Sequence, residues 1–295
     1  MRQFFAKRVF VTGGSSGIGK ATATMLVKWG ACVVIAARGD ERLRRAVAEV
    51  RALELPGTID AIVLDVTDPV GVVAGAHRVL ERLGGLDLLI NNAGVVHPGR
   101  VGELPADVFE AMLRVNYFGT VHMTRALLPH FMAQRSGQIA NVCSMLGFMG
   151  VYGYSAYAAS KFAVTGFSEC LRQELVPYGV DVSLVFPPNT DTPQLADENN
   201  LQPPESRAIT RRAGVLSAEV VARHMLRGIA RRRFHILPGL GARLTWSLHR
   251  HAPRILRWAM DGELRRALRT NTRTPPPPLN VAPAASGARA EGGGR

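Results

Sequence analysis

Residues 11–20 read Val-Thr-Gly-Gly-Ser-Ser-Gly-Ile-Gly-Lys, "VTGGSSGIGK", directly after a short apolar run. Gly13, Gly17 and Gly19, with Ser15, Ser16 and Ile18 between them, allow a tight turn. Such a turn brings backbone close to a pyrophosphate, and a helix opening there aims its free N–H groups at the same anion. The segment also fits G-x-S-x-G (residues 13–17), the nucleophile elbow of a hydrolase. That chemistry needs an acid and then a histidine downstream. His224 and His235 can be nominated, but no local pattern singles out either.

Outward from the turn, the same rhythm repeats. Short apolar runs at 9–11, 33–36, 62–64, 86–90, 139–142, 182–186 and 234–237 are bounded by Gly, Pro, Asp or Asn. Runs of this kind read as fully buried parallel strands. Helical patterns lie between them. The expected architecture is α/β: a doubly wound parallel sheet of about seven strands with helices on both faces, spanning residues 1–238.

The bulk numbers agree with one sizeable core. The chain has 295 residues, 47% apolar and 20% charged. Cys32, Cys143 and Cys170 are far apart, without paired or metal-type spacing, and read as reduced thiols in a cytosolic setting. No metal site is expected. The N-terminus carries no apolar leader, and no stretch approaches the ~20 apolar residues that span a bilayer. The net charge of +13 is uneven: from Ser206 onward there are 18 arginines, no lysine and 4 acids. A basic end of this kind suits an anionic membrane, an acidic protein or a nucleic acid.

Each strand end carries chemistry. After the second, a carboxylate would mark an NAD site; this chain has Ala37, then Arg38 and Arg42, and a guanidinium suits the 2′-phosphate of NADP. After the third come Asp65 and Val66, where Asp65 either accepts from an adenine amino group or caps the next helix. After the fourth, residues 90–94 read "INNAG"; small residues there, with Asn92, let a cofactor cross the sheet edge. Tyr157 and Lys161 are four apart on one helix face. Ser144 ends the preceding strand, and Asn116 lies in the helix before that. A lysine ammonium and the positive nicotinamide ring would favour phenolate; reaching a pKa near 7 takes roughly 4 kcal/mol. Tyr157 then exchanges a proton with a ketone or alcohol while hydride moves, and Ser144 holds the oxygen.

The glycine turn, N-N-A-G, the helical Asn, the Ser and Y-x-x-x-K together resemble the short-chain dehydrogenase/reductase family over residues 7–238. The resemblance implies a catalytic tetrad of Asn116, Ser144, Tyr157 and Lys161. It also implies that Lys161 binds the nicotinamide ribose, that Asn116 holds a water in a proton relay, and that the chain forms a homo-oligomer. Members usually follow the sixth strand with Pro-Gly and a Thr on the carboxamide. Here residues 185–200 read "VFPPNTDTPQLADENN". Pro188 replaces the Gly and stiffens the turn, and Thr190 and Thr192 stand where carboxamide contacts belong. This variant resembles the branch of the family that reduces 3-oxosphinganine, a long-chain amino ketone, to sphinganine. Asp191, Asp197 or Glu198 would pair with that substrate's ammonium, or would merely cap and solubilise the lid.

Residues 188–215 are expected as a substrate lid inserted outside the core. Residues 239–270 form a basic amphipathic extension, with Leu240, Leu244, Leu248, Leu256, Met260, Leu264 and Leu268 on one stripe. Arginines, Trp246 and Trp258 accompany the stripe, and Pro253 starts a second helix. It fits a membrane interface, a dimer contact or a cover over the pocket; no groove-reading motif points to nucleic acid. Residues 271–295 read as a disordered tail. The leading expectation is an NADPH-dependent sphingoid ketone reductase, cytoplasmic and peripheral on the membrane. The rivals are a 3-oxoacyl reductase whose basic end docks an acidic carrier protein, another hydrophobic-ketone reductase, and a non-catalytic scaffold.

Overall fold

Valine, isoleucine and leucine runs become strands because their branched side chains pack on a pleated surface covered from both sides. The computed structural model describes residues 2–210 and 214–271. In chain order come β1 (Arg8–Thr12), α1 (Gly17–Lys28), β2 (Cys32–Ala37), α2 (Asp40–Arg51), β3 (Thr58–Val63), α3 (Pro69–Leu83) and β4 (Leu88–Asn91). The second half holds α4 (Ala106–Met112), α5 (Gly119–Gln134), β5 (Gly137–Val142), α6 (Ser155–Leu175) and β6 (Val180–Val185). Then follow β7 (Thr190–Asp191), α7 (Pro193–Leu201), α8 (Pro204–Thr210), β8 (Leu216–Ser217), α9 (Ala218–Ala230) and β9 (His235–Ile236). The chain closes with α10 (Leu240–His251) and α11 (Pro253–Asn271).

Seven strands form one parallel sheet in the order β3-β2-β1-β4-β5-β6-β9. On one face Leu26, Leu43 and Ile229 pack from α1, α2 and α9; on the other Val79, Leu127 and Leu171 pack from α3, α5 and α6. Chain order reverses between β1 and β4, so the loops leaving those strands diverge. A crevice opens at their carboxyl ends, where such sheets bind ligands.

Several boundaries differ from expectation. β3 runs from Thr58 to Val63 rather than over 62–64, because an edge strand carries polar residues such as Thr58 and Asp60 that mask its pattern. α3 is capped by Asp68, whose carboxylate accepts from the Val70 N–H at 3.1 Å with Pro69 in the first turn; Asp65 does not cap it. The lid is more than a polar insertion. It contains α7 and α8, its ends are joined by the small β7–β8 pair, and Gln202, Glu205 and Ser206 are buried within it.

The extension forms two helices, with Pro253 opening the second. Its apolar stripe is divided: Leu240 and Leu244 are exposed, whereas Leu248, Leu256, Met260, Leu264 and Leu268 are half-buried. The two tryptophans part company as well. Trp246 stacks on Phe186 and meets Phe148 edge-on, with ring centroids 5.3 and 4.9 Å apart, while Trp258 is exposed. α11 packs against lid helix α8. Beyond Asn271 the expected tail lies outside the described residues.

Candidate active site

The glycine turn is closed by sterics. Gly13 sits at φ +66°, and a Cβ on Gly19 would lie 2.2 Å from the Gly13 carbonyl oxygen. Only glycine fits both demands. Ser16 precedes α1 in extended backbone, and its hydroxyl caps nothing, which leaves the first N–H groups of the helix for a ligand. The turn is braced from β4. Asn92 donates from its amide to the Thr12 and Gly13 carbonyls, each at 3.1 Å, and Thr12 Oγ1 accepts from the Asn92 and Ala93 N–H groups. Asn92 lines the cavity, but its side-chain donor is spent on holding the turn.

A cavity of about 520 Å³ runs from this turn to α6 and the lid. At one end Arg38 and Arg42 line it, exposed and without an ion-pair partner among the described residues. On the same helix Arg44 and Arg45 are occupied by Asp40 and Glu41, each at 3.0 Å. Asp65 and Val66, from the end of the adjacent strand, line it too. Asp65 Oδ1 accepts from the Thr67 N–H at 2.9 Å and its hydroxyl at 2.8 Å, so half of that carboxylate is committed locally. No histidine lines the cavity, which leaves the hydrolase elbow without its base.

At the other end Ser144, Tyr157 and Lys161 come together. The Lys161 ammonium is buried, lies 5.7 Å from the Tyr157 ring centroid and donates to the Val142 carbonyl at 3.1 Å. Burial lowers its pKa. Tyr157 stands one turn before Lys161 on α6. Although its ring reaches the cavity, burial pushes the phenol well above the ordinary tyrosine range, and hydrogen bonding with Ser144 offsets only part of this. The positive ring that was to lower it belongs to the cofactor; from the chain's own groups alone the phenol stays protonated.

Asn116 braces the loop beside the site. It sits in a π-helical segment, Leu113–Phe118, between α4 and α5. Its Oδ1 accepts from the Val95 N–H at 2.8 Å, and its amide donates to the Val95 carbonyl and to Ser160 Oγ, both at 2.9 Å. Both amide N–H groups are used in pinning the loop after β4 to α6. π-bulges often mark functional positions.

The lid closes the cavity from above. Thr192 lies against Gly17, where a Cβ would come within 2.9 Å of its methyl group. Thr190 and Thr192 both line the cavity, but each hydroxyl donates locally, to the Pro188 and Thr190 carbonyls. Of the three lid carboxylates, Asp191 is exposed on β7 and outside the cavity lining, because the parallel pair with β8 turns it outward. Asp197 lines the cavity but is exposed, and Glu198 lines it half-buried. Sequence reasoning missed the residues that hold Glu198. Tyr154 Oη donates to Glu198 Oε1 at 2.5 Å, and Gln202 Nε2 donates to it at 3.3 Å. The signals were there: Tyr154 is three before Tyr157, and Gln202 four after Glu198.

A phosphate-ready turn joined through one cavity to a Ser-Tyr-Lys group is the site of a nicotinamide-dependent oxidoreductase. The chain belongs to the short chain dehydrogenase family, which matches residues 7–202. It is 38% identical over 229 residues to the 3-dehydrosphinganine reductase of Danio rerio, covering 77% of this chain and 69% of the relative. Among solved structures it is similar to a short chain dehydrogenase from Burkholderia cenocepacia in complex with NADP, with TM-score 0.65 and 34% identity over 77% of this chain and 91% of the other. A short chain dehydrogenase/reductase from Burkholderia phymatum in complex with NAD gives TM-score 0.72 and 29% identity over 95% and 99% of the two chains.

Proposed function

We propose that this protein reduces 3-oxosphinganine to sphinganine with NADPH. The observation that carries the reading is one cavity in which the glycine turn, Arg38 and Arg42, and the Ser144-Tyr157-Lys161 group meet. The chain's similarity to a sphingoid-base reductase over most of its length names the substrate. The residues fit the cofactor. The first turn of α1 and the space that Gly13 and Gly19 leave would hold the pyrophosphate, Arg38 and Arg42 the 2′-phosphate, and Lys161 the nicotinamide ribose. Bound NADPH supplies the hydride that adds to the carbonyl carbon.

The protein's own part is the proton. As charge develops on the carbonyl oxygen, Ser144 donates a hydrogen bond to it and Tyr157 gives up its phenolic proton, a type of assistance worth about 10²–10⁴-fold in rate. A phenol held protonated is the form that reduction needs. Lys161 then stabilises the phenolate left behind, and Asn116 keeps the surrounding loop in register.

Peripheral contact with the cytoplasmic face of a membrane belongs to this proposal. Exposed Leu240, Leu244, Ile255 and Trp258 beside Arg243, Arg254 and Arg257 support it. No described helix is long and apolar enough to cross a membrane. Self-association is supported by half-exposed Phe118 and Phe162 on neighbouring helical segments.

The test is NADPH consumption with 3-oxosphinganine beside an acetoacetyl thioester, in wild type and Tyr157→Phe. Oxidation with the sphingoid ketone, lost in the variant, supports the proposal. Turnover of the thioester alone would leave the chemistry intact and move the protein to the acyl branch.

A further inference from the structure

We infer that Glu198 is the specificity-determining residue for an ammonium next to the reacting ketone, and that Tyr154 and Gln202 position it for that task. The inference rests on the sphingoid reading above and assigns the amine of that substrate a site.

Three observations carry it. First, Glu198 is a half-buried carboxylate on the cavity wall with no arginine or lysine within ion-pair distance among the described residues. Buried carboxylates are ordinarily paired, and the other buried acid of the lid, Glu205, is paired with Arg100. Second, its two oxygens differ. Oε1 accepts from both Tyr154 and Gln202, and Oε2 has no protein donor among the described residues. Gln202 is tied at both ends of its amide, accepting from Thr210 Oγ1 at 3.0 Å and donating also to Asn199 Oδ1 at 3.2 Å. Third, the placement is adjacent to the chemistry. Tyr154 and Tyr157 stand at the start of α6 with ring centroids 6.5 Å apart, and the Glu198 charge is close enough to raise the Tyr157 pKa further.

A 2-amino-3-ketone carries its nitrogen on the carbon next to the carbonyl. With the carbonyl oxygen on Tyr157 and Ser144, the ammonium lies toward the Tyr154 side, where Oε2 is free to accept it. The pair would also relieve the desolvated carboxylate, whose pKa burial holds above the usual carboxylate range. A thioester or a simple ketone offers no such partner.

The experiment compares kcat/KM for 3-oxosphinganine with that for the 3-ketone of equal chain length bearing hydrogen in place of the amine. Both are assayed on one preparation, so their ratio does not depend on the folded fraction. In wild type the amino ketone is preferred; in Glu198→Gln the preference falls about 10- to 100-fold, chiefly through KM, and Glu198→Asp recovers part of it. A ratio that Glu198→Gln leaves unchanged would overturn the inference while the parent reading stands. Wild type that reduces neither ketone would overturn the parent reading itself. A second measurement needs no variant: a long-chain primary amine should inhibit wild type more strongly than the alcohol of equal length, and equal inhibition would overturn the inference.

Discussion

The Arg100 guanidinium donates two hydrogen bonds to the Glu205 carboxylate, at 2.9 and 3.1 Å, across 105 positions of sequence. The same guanidinium donates to Tyr152 and Glu103, and Ser206 beside Glu205 donates to the Tyr152 carbonyl. One side chain therefore ties the loop after β4, the loop before α6 and lid helix α8 together. Glu205 is 6% exposed. Arg100→Ala leaves that carboxylate buried and alone, and should cost about 3 kcal/mol in denaturant unfolding. The Arg100→Met, Glu205→Leu double variant should recover most of it. A double variant as unstable as the single one would show that shape, not charge, holds the lid.

The phenol of Tyr157 is held protonated by burial. Spectroscopic titration of the cofactor-free protein against Tyr157→Phe should reveal no extra phenol ionising below about pH 10. Because protonated phenol is the reducing form, ketone reduction should show no loss on the alkaline side from this group up to that pH. Alcohol oxidation should instead rise with pH. An extra phenol titrating near neutrality in the free protein would contradict the burial argument.

Arg38 and Arg42 line the cavity mouth without carboxylate partners among the described residues. Arg38→Asp should lower the preference for NADPH over NADH by about tenfold or more, as expected for a charge-assisted hydrogen bond of ~1.5–3 kcal/mol. Arg44→Ala, whose side chain belongs to Asp40, should leave the cofactor ratio as it is.

Asp87, at the amino-terminal ends of the central strands β1 and β4, accepts from the Arg8 N–H and guanidinium, each at 2.9 Å. Desolvation pushes its pKa up, but Arg8 and Lys7 pull harder and the net shift is downward. A folded pKa below the unfolded one means that the stabilisation is whole above the unfolded aspartate range near pH ~3.9 and is lost as pH falls through the folded value. Thermal melts of Asp87→Asn should therefore show a lower melting temperature at neutral pH and a shallower decline in acid than wild type.

Exposed Ile255 and Trp258 on α11 should govern vesicle binding. Ile255→Ala, Trp258→Ala protein should sediment far less with vesicles containing anionic lipid, and raised salt should weaken the wild type. Equal sedimentation of both proteins would assign the extension to the lid alone.

The glycine turn, N-N-A-G, Ser144 and the Tyr157–Lys161 pair were legible because each is a local pattern whose spacing follows from strand and helix geometry. The sheet was legible for the same reason: buried parallel strands are continuous apolar runs. β3 was blurred because an edge strand faces water, and Asp191 was misplaced because a two-residue pairing with β8 has no sequence signature. Trp246 and Trp258 look alike in the sequence, yet one is packed against Phe148 and Phe186 and the other is exposed.

By itself the sequence determined the doubly wound fold, the cofactor-type turn and the placing of Tyr157 and Lys161 on one helix face, all written as local patterns in the chain. Tertiary structure alone decided that Asn116 braces Val95 and that Arg100 latches Glu205. It alone decided that Glu198 rather than Asp191 faces the Tyr157 side of the cavity. Those outcomes depend on contacts between distant segments, where burial and the pairing of charges are fixed only once the lid has closed on the sheet.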